Sequence, residues 1–142
     1  MDTALRSKSE ENTKLANLAI QETHYASSIH CSYYACLQLM GHIQRSDFGM
    51  TDAEVENEQD STQGSSHILL ISKFEEKLFL SPKLQNNQRR ELTKWFKKLI
   101  GDLKEKRKKA DYKNVKIEKY EAKECLKMSD EIIEFLTKFF TI

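Results

Sequence analysis

Residues 25–43 of this chain, YASSIHCSYYACLQLMGHI, carry the apolar pattern that most clearly indicates a fold. An α-helix turns about 100° per residue, so side chains three or four positions apart share one face. The apolar residues that share a narrow stripe here are Tyr25, Ile29, Tyr33, Cys36, Met40 and Ile43. This spacing predicts a helix over about His24–Arg45 with one face in a core.

Four further segments show helical spacing of apolar residues, at about 3–23, 66–80, 87–111 and 118–139. Pro82 ends the second of them, because proline lacks the N–H and disfavours a helical conformation in the residue before it. With four glycines and one proline in 142 residues, the chain has too few turn residues for a β-sandwich. We therefore expect an all-α fold, a single four-to-five-helix up-and-down bundle over residues 1–142.

The composition excludes several classes of protein. The longest apolar runs, such as Ile68–Ile71, are too short to cross a bilayer, and residues 1–14 are mostly polar, unlike a secretory signal. The three cysteines show neither CxxC nor Cys/His metal-ligand spacing, which argues against a disulfide scaffold and structural zinc. We expect a cytoplasmic protein with no membrane partner, no metal and no cofactor.

The formal net charge of +1 hides a separation of charge along the chain. Residues 46–66 contain six acids, no Lys or Arg and little to bury, which predicts a flexible acidic loop. Residues 83–119 contain 14 bases and 5 acids. Such a helix face is often merely solvated, but this excess favours RNA or DNA binding, unless the acidic segment masks the surface or pairs with a partner. The candidate RNA-binding residues are Lys104, Lys106, Lys108 and Lys109.

Arg107 is the most informative single residue, because it shares the apolar stripe of Phe96, Ile100 and Leu103. A guanidinium there must be paired, reach past the end of the core, or face an interface. Asp111, four residues later, is placed to pair with it. Geometry alone favours an ion pair that closes the bundle end over a phosphate-contacting arginine in a cleft.

The histidines are candidates for acid–base chemistry, since a histidine titrates near neutral pH. None of the four forms an HExxH or His-x3-His pair, so metal binding is not expected. His30 precedes Tyr34 by four residues, which is typical of a packing contact at the edge of a bundle. His67 lies at the start of a predicted helix, where it could act as a cap. Tyr33 and Tyr34 are interpreted as packing residues.

The last predicted helix is apolar on two sides. One face carries Cys125, Met128, Ile132, Phe135 and Phe139. On nearly the opposite face, apolar residues repeat every seven positions at Leu126, Ile133 and Phe140. Both faces need a cover, and either the N-terminal helix or a second subunit supplies the second one. We expect a homodimer with Leu126, Ile133 and Phe140 at its interface.

Three stretches occur in an order that resembles the HEPN domain family. They are ASSIHCSYYA over residues 26–35, SSHILLISKF over residues 65–74 and RKKADY over residues 107–112. The series is similar to the branch with an AYYA-like second helix, a third helix that starts at a histidine, and an R-x-x-A-D-Y segment ending the fourth. The resemblance covers about residues 10–140.

The resemblance implies a HEPN-like helical bundle that commonly dimerises and brings two Arg-bearing helix ends together. Many members are metal-independent ribonucleases of prokaryotic toxin–antitoxin or other defence systems, and a small nucleotidyltransferase antitoxin is a common partner. Their active motif is an Arg followed, after a gap of four to six residues, by a His. Arg107 matches that Arg, but Tyr112 stands at the His position and no His follows His67.

This departure matters for catalysis. RNA cleavage through the 2′-OH needs a proton acceptor, a proton donor and a positive charge that stabilises the negatively charged phosphorane. Arg107 can supply charge, but a tyrosine hydroxyl ordinarily has a pKa near 10 and is a poor base. A histidine from elsewhere would have to substitute. The candidate catalytic residues are Arg107, Tyr112, Asp111, His67 and His30.

We hypothesise that the chain is a HEPN-like protein of a prokaryotic toxin–antitoxin or defence system that binds or cleaves RNA. The alternative is a non-catalytic dimeric module that binds a protein partner such as a nucleotidyltransferase-like antitoxin. A third hypothesis, a small nucleotide-binding protein, fits the same arginine but has no phosphate-binding loop in its support.

Overall fold

The computed structural model describes residues 3–61, 66–140 and 142. These residues form six α-helices and no strand, which confirms the all-α class. The helices are α1 (Ala4–Gln21), α2 (Tyr25–Ser46), α3 (Asp52–Ser61), α4 (Ser66–Phe79), α5 (Asn86–Tyr112) and α6 (Lys119–Phe139). Five of them begin and end within two residues of the predicted bounds. None, within the described ranges, is long and apolar enough to cross a membrane.

The central element is α2, which packs against α1, α4, α5 and α6. Its predicted apolar stripe is buried along most of its length, and Tyr33, Cys36 and Met40 are completely enclosed. The stripe lies in one continuous core with apolar residues of α4, α5 and α6. The sequence pattern of residues 25–43 thus places one helix at the centre of the fold.

Serine hydroxyls join α2 to two of its neighbours. The Ser28 hydroxyl donates to the Ala16 carbonyl of α1 at 2.8 Å. The Ser129 hydroxyl of α6 donates to the Ser32 carbonyl of α2, also at 2.8 Å. All four residues are buried, and the bonds satisfy hydroxyl groups that water cannot reach. Small side chains at these contacts let the helices approach closely, which sets the position of α2.

The segment predicted as an acidic loop over residues 46–66 contains the additional helix α3, so both that prediction and the count of four to five helices are wrong. The Thr51 hydroxyl accepts a hydrogen bond from the Glu54 N–H at 3.1 Å, as at a capped helix start. Thr51-x-x-Glu54 is a capping-box pattern, a start signal overlooked in the sequence. Val55 supplies the one buried apolar contact described for this helix.

Two acidic residues of α3 pair with bases on neighbouring helices. Arg45 Nε of α2 lies 2.6 Å from Asp52 Oδ1, and Lys73 Nζ of α4 lies 2.8 Å from Glu58 Oε2. These pairs neutralise part of the charge that made the segment resemble a solvated loop. A low apolar content therefore misled the prediction, because ion pairs and a capped start stabilise this helix.

Phe140, directly after α6, is buried within the chain, so its predicted place at a subunit interface is wrong. Its side chain is 7% exposed, and its ring centroid lies 5.2 Å from Phe74 and 5.6 Å from Phe48. The reason is that α6 ends at Phe139 and Phe140 adopts an extended backbone conformation. Helical periodicity consequently no longer determines the direction of its side chain.

The second apolar face of α6 is partly covered within the chain, and α1 is one of the helices that pack against α6. Ile133 is half-buried and packs against the core, and Leu126 is also half-buried. A contact of these two residues with a second copy of the chain stays a prediction.

The end of α5 is tied to the start of α6. Glu118 and Glu121 form a capping box, in which each side chain accepts from the other's backbone N–H. The buried Glu121 carboxylate also binds Lys109 Nζ of α5 at 2.7 Å. The bond to Lys109 holds the pKa of Glu121 below its usual value. This connection fixes where the last turns of α5 lie on the bundle.

Gly101 lies in the middle of α5, where the fold gives no reason for a glycine. A Cβ atom added at this position would meet no heavy atom within 4 Å, and the residue does not adopt a positive φ. Glycine in a helix interior costs about 1 kcal/mol relative to alanine. No packing contact in the described part of the chain offsets that cost.

We expect Gly101→Ala to stabilise the fold by about 1 kcal/mol, which would raise the melting temperature by about 4 °C. The gain arises because alanine restricts the unfolded chain and fits the helix without a clash. Thermal unfolding followed by circular dichroism measures the shift. A lower melting temperature would contradict this account of the position.

Candidate functional site

Arg107 lies near the C-terminal end of α5 and is only 5% exposed. Its guanidinium carbon lies 4.9 Å from the ring centroid of Tyr33, 5.7 Å from that of Tyr34 and 5.6 Å from that of Tyr112. Its Nη1 also donates to the Tyr112 hydroxyl at 3.2 Å. The cation is therefore held mainly by aromatic rings, which attract it through their electron-rich faces.

The tyrosines come from two helices that pack against each other. Tyr33 and Tyr34 are adjacent on α2, so Tyr33 points into the core and Tyr34 lies at its edge. Tyr112 is the last residue of α5 and is 73% exposed. Burial disfavours the charged form of Arg107, but the tyrosines outweigh it and raise its pKa above the usual value. Arg107 therefore remains a cation.

Asp111 lies between Arg107 and His30. Its Oδ2 atom is 3.7 Å from Arg107 Nη1 and 2.8 Å from His30 Nδ1. The predicted pair of Arg107 with Asp111 is present, but the shorter contact is to the histidine on α2. A carboxylate at Nδ1 orients the imidazole and leaves Nε2 for another partner. The His30 side chain is 48% exposed, so a ligand could reach it.

His67 reaches the same place from the first turn of α4. Its Nδ1 atom lies 3.3 Å from the Tyr33 hydroxyl, and its ring centroid lies 5.5 Å from that of Tyr34. Burial lowers the pKa of His67, and the positive charges of Arg107 and Lys104 lower it further. His67 is accordingly neutral at pH 7. Burial also raises the pKa of Tyr33 to about 12, so this hydroxyl keeps its proton.

The structure thus brings together all five residues predicted to be catalytic, which we call the Arg107 cluster. They are Arg107, Asp111 and Tyr112 of α5, His30 of α2 and His67 of α4. The role of Tyr33 and Tyr34 was missed, because adjacent tyrosines on a helix are typical of core and edge packing. The signal that could have found them is the burial of an arginine on the facing helix, since a buried cation needs compensation.

The four predicted RNA-binding lysines divide into two pairs. Lys104 lies beside the Arg107 cluster, where it lowers the pKa of His67, and Lys108 lies close enough to lower that of Lys104. Lys109 binds Glu121, and Lys106 acts on the same carboxylate, so these two face the start of α6. Only Lys104 and Lys108 are thus placed next to the cluster.

Arg107 is not held as a purely structural arginine would be. Its Nε atom is buried, and no acceptor in the described part of the chain bonds to it. A buried donor without a partner costs about 1–3 kcal/mol. Asp111, the nearest carboxylate, is engaged more closely by His30. This arrangement is poor for stability, which favours a role for Arg107 beyond closing the bundle end.

Comparisons of the chain with protein-family models, with curated proteins and with solved structures found no match. The similarity to HEPN domains accordingly rests on the three sequence stretches alone. Within residues 3–61, 66–140 and 142, no three His, Cys, Asp or Glu side chains are grouped as they would be around a metal ion.

We expect Arg107→Met to change the free energy of unfolding by less than about 1 kcal/mol. Methionine fills the volume and packs on the tyrosine rings, while the loss of a buried charge removes its desolvation cost. Urea denaturation measures the difference. A loss of about 3 kcal/mol or more, the range seen when a buried ion pair is broken, would show that the guanidinium is structural.

We expect His67 to make stability depend on pH. Because folding lowers its pKa, its neutral form is favoured in the native state, and protonation in acid opposes folding. The difference in free energy of unfolding between wild type and His67→Asn should therefore be constant above about pH 6.5. It should then decline as the pH falls through the lower, native pKa. Urea denaturation at pH 5 to 8 measures it; a constant difference would contradict the assignment.

Proposed function

We propose that this chain is a HEPN-like domain of a prokaryotic toxin–antitoxin or other defence system that binds RNA and cleaves it without a metal at the Arg107 cluster. The observation that carries the proposal is that both histidines contact tyrosines that hold Arg107: His67 contacts Tyr33 and Tyr34, and His30 contacts Tyr34. The family's Arg–His motif lacks its histidine here, and two histidines from other helices compensate for it. The domain works in the cytoplasm.

The chemistry is transesterification through the 2′-OH. A base removes the proton of the 2′-OH, O2′ forms a bond to phosphorus, and the bond from phosphorus to the 5′ oxygen breaks. The leaving 5′ oxygen takes a proton from an acid, so the products are a 2′,3′-cyclic phosphate and a 5′-hydroxyl. Negative charge accumulates on the phosphorane oxygens and requires a cation nearby.

The cluster offers one residue for each task. His67 is neutral at pH 7 and acts as the base. His30, which Asp111 holds at Nδ1, donates its proton to the leaving oxygen. Arg107 stabilises the phosphorane, as the permanent cation between them. Histidines in contrasting electrostatic surroundings are a common basis for an acid–base pair.

Tyr112 is a positioning residue in this scheme. Its hydroxyl accepts from Arg107 Nη1 at 3.2 Å, and its exposed ring covers the guanidinium. It therefore orients the cation, while proton transfer belongs to the histidines. Tyr112 occupies the place of the family's histidine without taking over its chemistry.

The HEPN resemblance supplies the proposed partners. A homodimer would bring two Arg107 clusters together, and a nucleotidyltransferase-like antitoxin would inhibit them. In the non-catalytic alternative, the same surface binds RNA or that protein partner without cleavage.

We expect cleavage of labelled tRNA and mRNA by the purified protein, in EDTA, to require the Arg107 cluster. Arg107→Met, His30→Ala and His67→Ala should each reduce the rate about 100-fold or more. His24→Ala is the matched control, since His24 is exposed and lies outside the cluster. Gel electrophoresis and mass spectrometry of the 3′ ends measure the rate and detect the cyclic phosphate.

Two results would overturn parts of this proposal. If wild type cleaves neither RNA pool and its expression leaves bacterial growth unchanged, the ribonuclease assignment is wrong. If it then still binds RNA or a co-expressed nucleotidyltransferase, the non-catalytic alternative is favoured. Cleavage that survives both His30→Ala and His67→Ala would reject the acid–base roles of these histidines. The ribonuclease activity would then belong to a different site.

A further inference from the structure

One face of α5 carries a continuous line of positive charge. Its members are separated by three or four residues, so they lie above one another on the helix. They are Arg90, Lys94, Lys97, Lys104 and Lys108, with Gly101 in the middle. All the basic members except the half-buried Lys104 are exposed. We call this set the α5 stripe. It runs for about 27 Å, at 1.5 Å per residue, and its last members lie beside the Arg107 cluster.

Most of the α5 stripe has no acidic partner in the part of the chain that the structure describes. In the described part of the chain, no carboxylate forms an ion pair with Arg90, Lys94, Lys97 or Lys104. Lys108 has one contact, at 3.4 Å with exposed Glu105. Off the stripe, by contrast, Lys98 binds Asp102 at 3.0 Å. Four of the five cations of the stripe therefore have no acidic partner among the described residues.

Positive charge is also crowded where the stripe meets the Arg107 cluster. Burial lowers the pKa of Lys104, and the charges of Lys108 and Arg107 lower it further, while Glu105 acts in the opposite direction. Like charges at this separation repel each other, and the fold alone gives no reason for keeping them together. A polyanion lying across them would relieve the repulsion.

Gly101 is the second, independent observation. It leaves α5 without a side chain midway between Lys97 and Lys104, and a Cβ there would touch nothing in the chain. The helix would be more stable with alanine at this position. No packing contact inside the chain explains this glycine. A glycine on a helix surface allows another backbone to approach the helix closely.

We infer that the α5 stripe binds the sugar–phosphate backbone of single-stranded RNA and guides it to the Arg107 cluster. The choice of RNA as the ligand rests on the proposed function. The stripe is a separate surface that would hold the strand beyond the scissile phosphate. Phosphates lie against the lysines and the strand passes closest at Gly101. At about 3.4 Å per nucleotide of a stacked strand, the stripe accommodates about eight nucleotides.

The test measures binding without cleavage. 2′-O-methyl oligouridylates of 4, 8 and 12 nucleotides have no free 2′-OH, so a ribonuclease cannot cut them. Fluorescence anisotropy gives their Kd at several salt concentrations. Affinity should rise at least ten-fold from 4 to 8 nucleotides and change little from 8 to 12, because the stripe is then filled.

The salt dependence counts the contacts. For single strands, log K falls with log salt by about 0.7 per phosphate contact. The double variant Lys94→Ala/Lys97→Ala should reduce that slope by about 1.4 and weaken the gain from 4 to 8 nucleotides. The matched control, Lys98→Ala/Lys138→Ala, removes the same charge from residues paired with Asp102 and Glu134 and should leave both unchanged.

Gly101→Leu tests the close approach. Because a Cβ atom at this position meets no heavy atom of the described chain within 4 Å, the fold should be kept, while binding of the 8-mer should weaken about five-fold or more. Gly101→Ala, with a smaller side chain, should have a smaller effect. Circular dichroism confirms that each variant is folded.

Three outcomes would overturn the inference: an unchanged salt slope in Lys94→Ala/Lys97→Ala, an equal change in the control, or displacement of RNA by poly-glutamate at the same charge concentration. The inference and the proposed ribonuclease fail separately. If the slope falls as expected while no RNA is cut, the stripe stands and the nuclease does not. If Arg107→Met abolishes cleavage while the slope is unchanged in the double variant, the reverse holds.

Discussion

A buried guanidinium must be compensated for its lost hydration, and in this chain Arg107 obtains much of that compensation from aromatic rings. Tyr33 and Tyr34 reach it from the central helix, and Tyr112 covers it from its own helix. Because these rings attract the cation without neutralising it, the positive charge stays available to a ligand. An arginine bound bidentately by a carboxylate would be more stable, but its charge would be neutralised and less available to a ligand. The properties of the neighbouring histidines depend on this charge.

The two histidines differ because of where their helices meet Arg107. His67 lies beside positive charge and is partly buried, which lowers its pKa. His30 is more exposed and is held by Asp111, which also faces Arg107. One carboxylate thus orients a histidine and partly balances the arginine. Two residues of the same type acquire different surroundings from a single buried cation.

The distribution of charge follows a similar logic over a longer distance. Two acids of residues 46–66 pair with bases of α2 and α4: Asp52 with Arg45, and Glu58 with Lys73. They therefore do not neutralise the α5 stripe. A whole-chain charge of +1 consequently coexists with an uncompensated basic face next to the Arg107 cluster. Net charge is a poor guide to binding when opposite charges are confined to different helices.

Local periodicity determined five helices, because the spacing of apolar residues and the caps at helix ends are properties of neighbouring positions. It failed at α3, which ion pairs stabilise, and at Phe140, where the helix has ended. Arg107 was identifiable from sequence because a charge interrupts an apolar stripe. Its partners were not: His30 and Asp111 are 81 residues apart, and Tyr33 and His67 are 34 apart. Only the packing of α2, α4 and α5 decides which of these side chains meet, since contacts between distant residues depend on how helices pack rather than on their spacing in the chain.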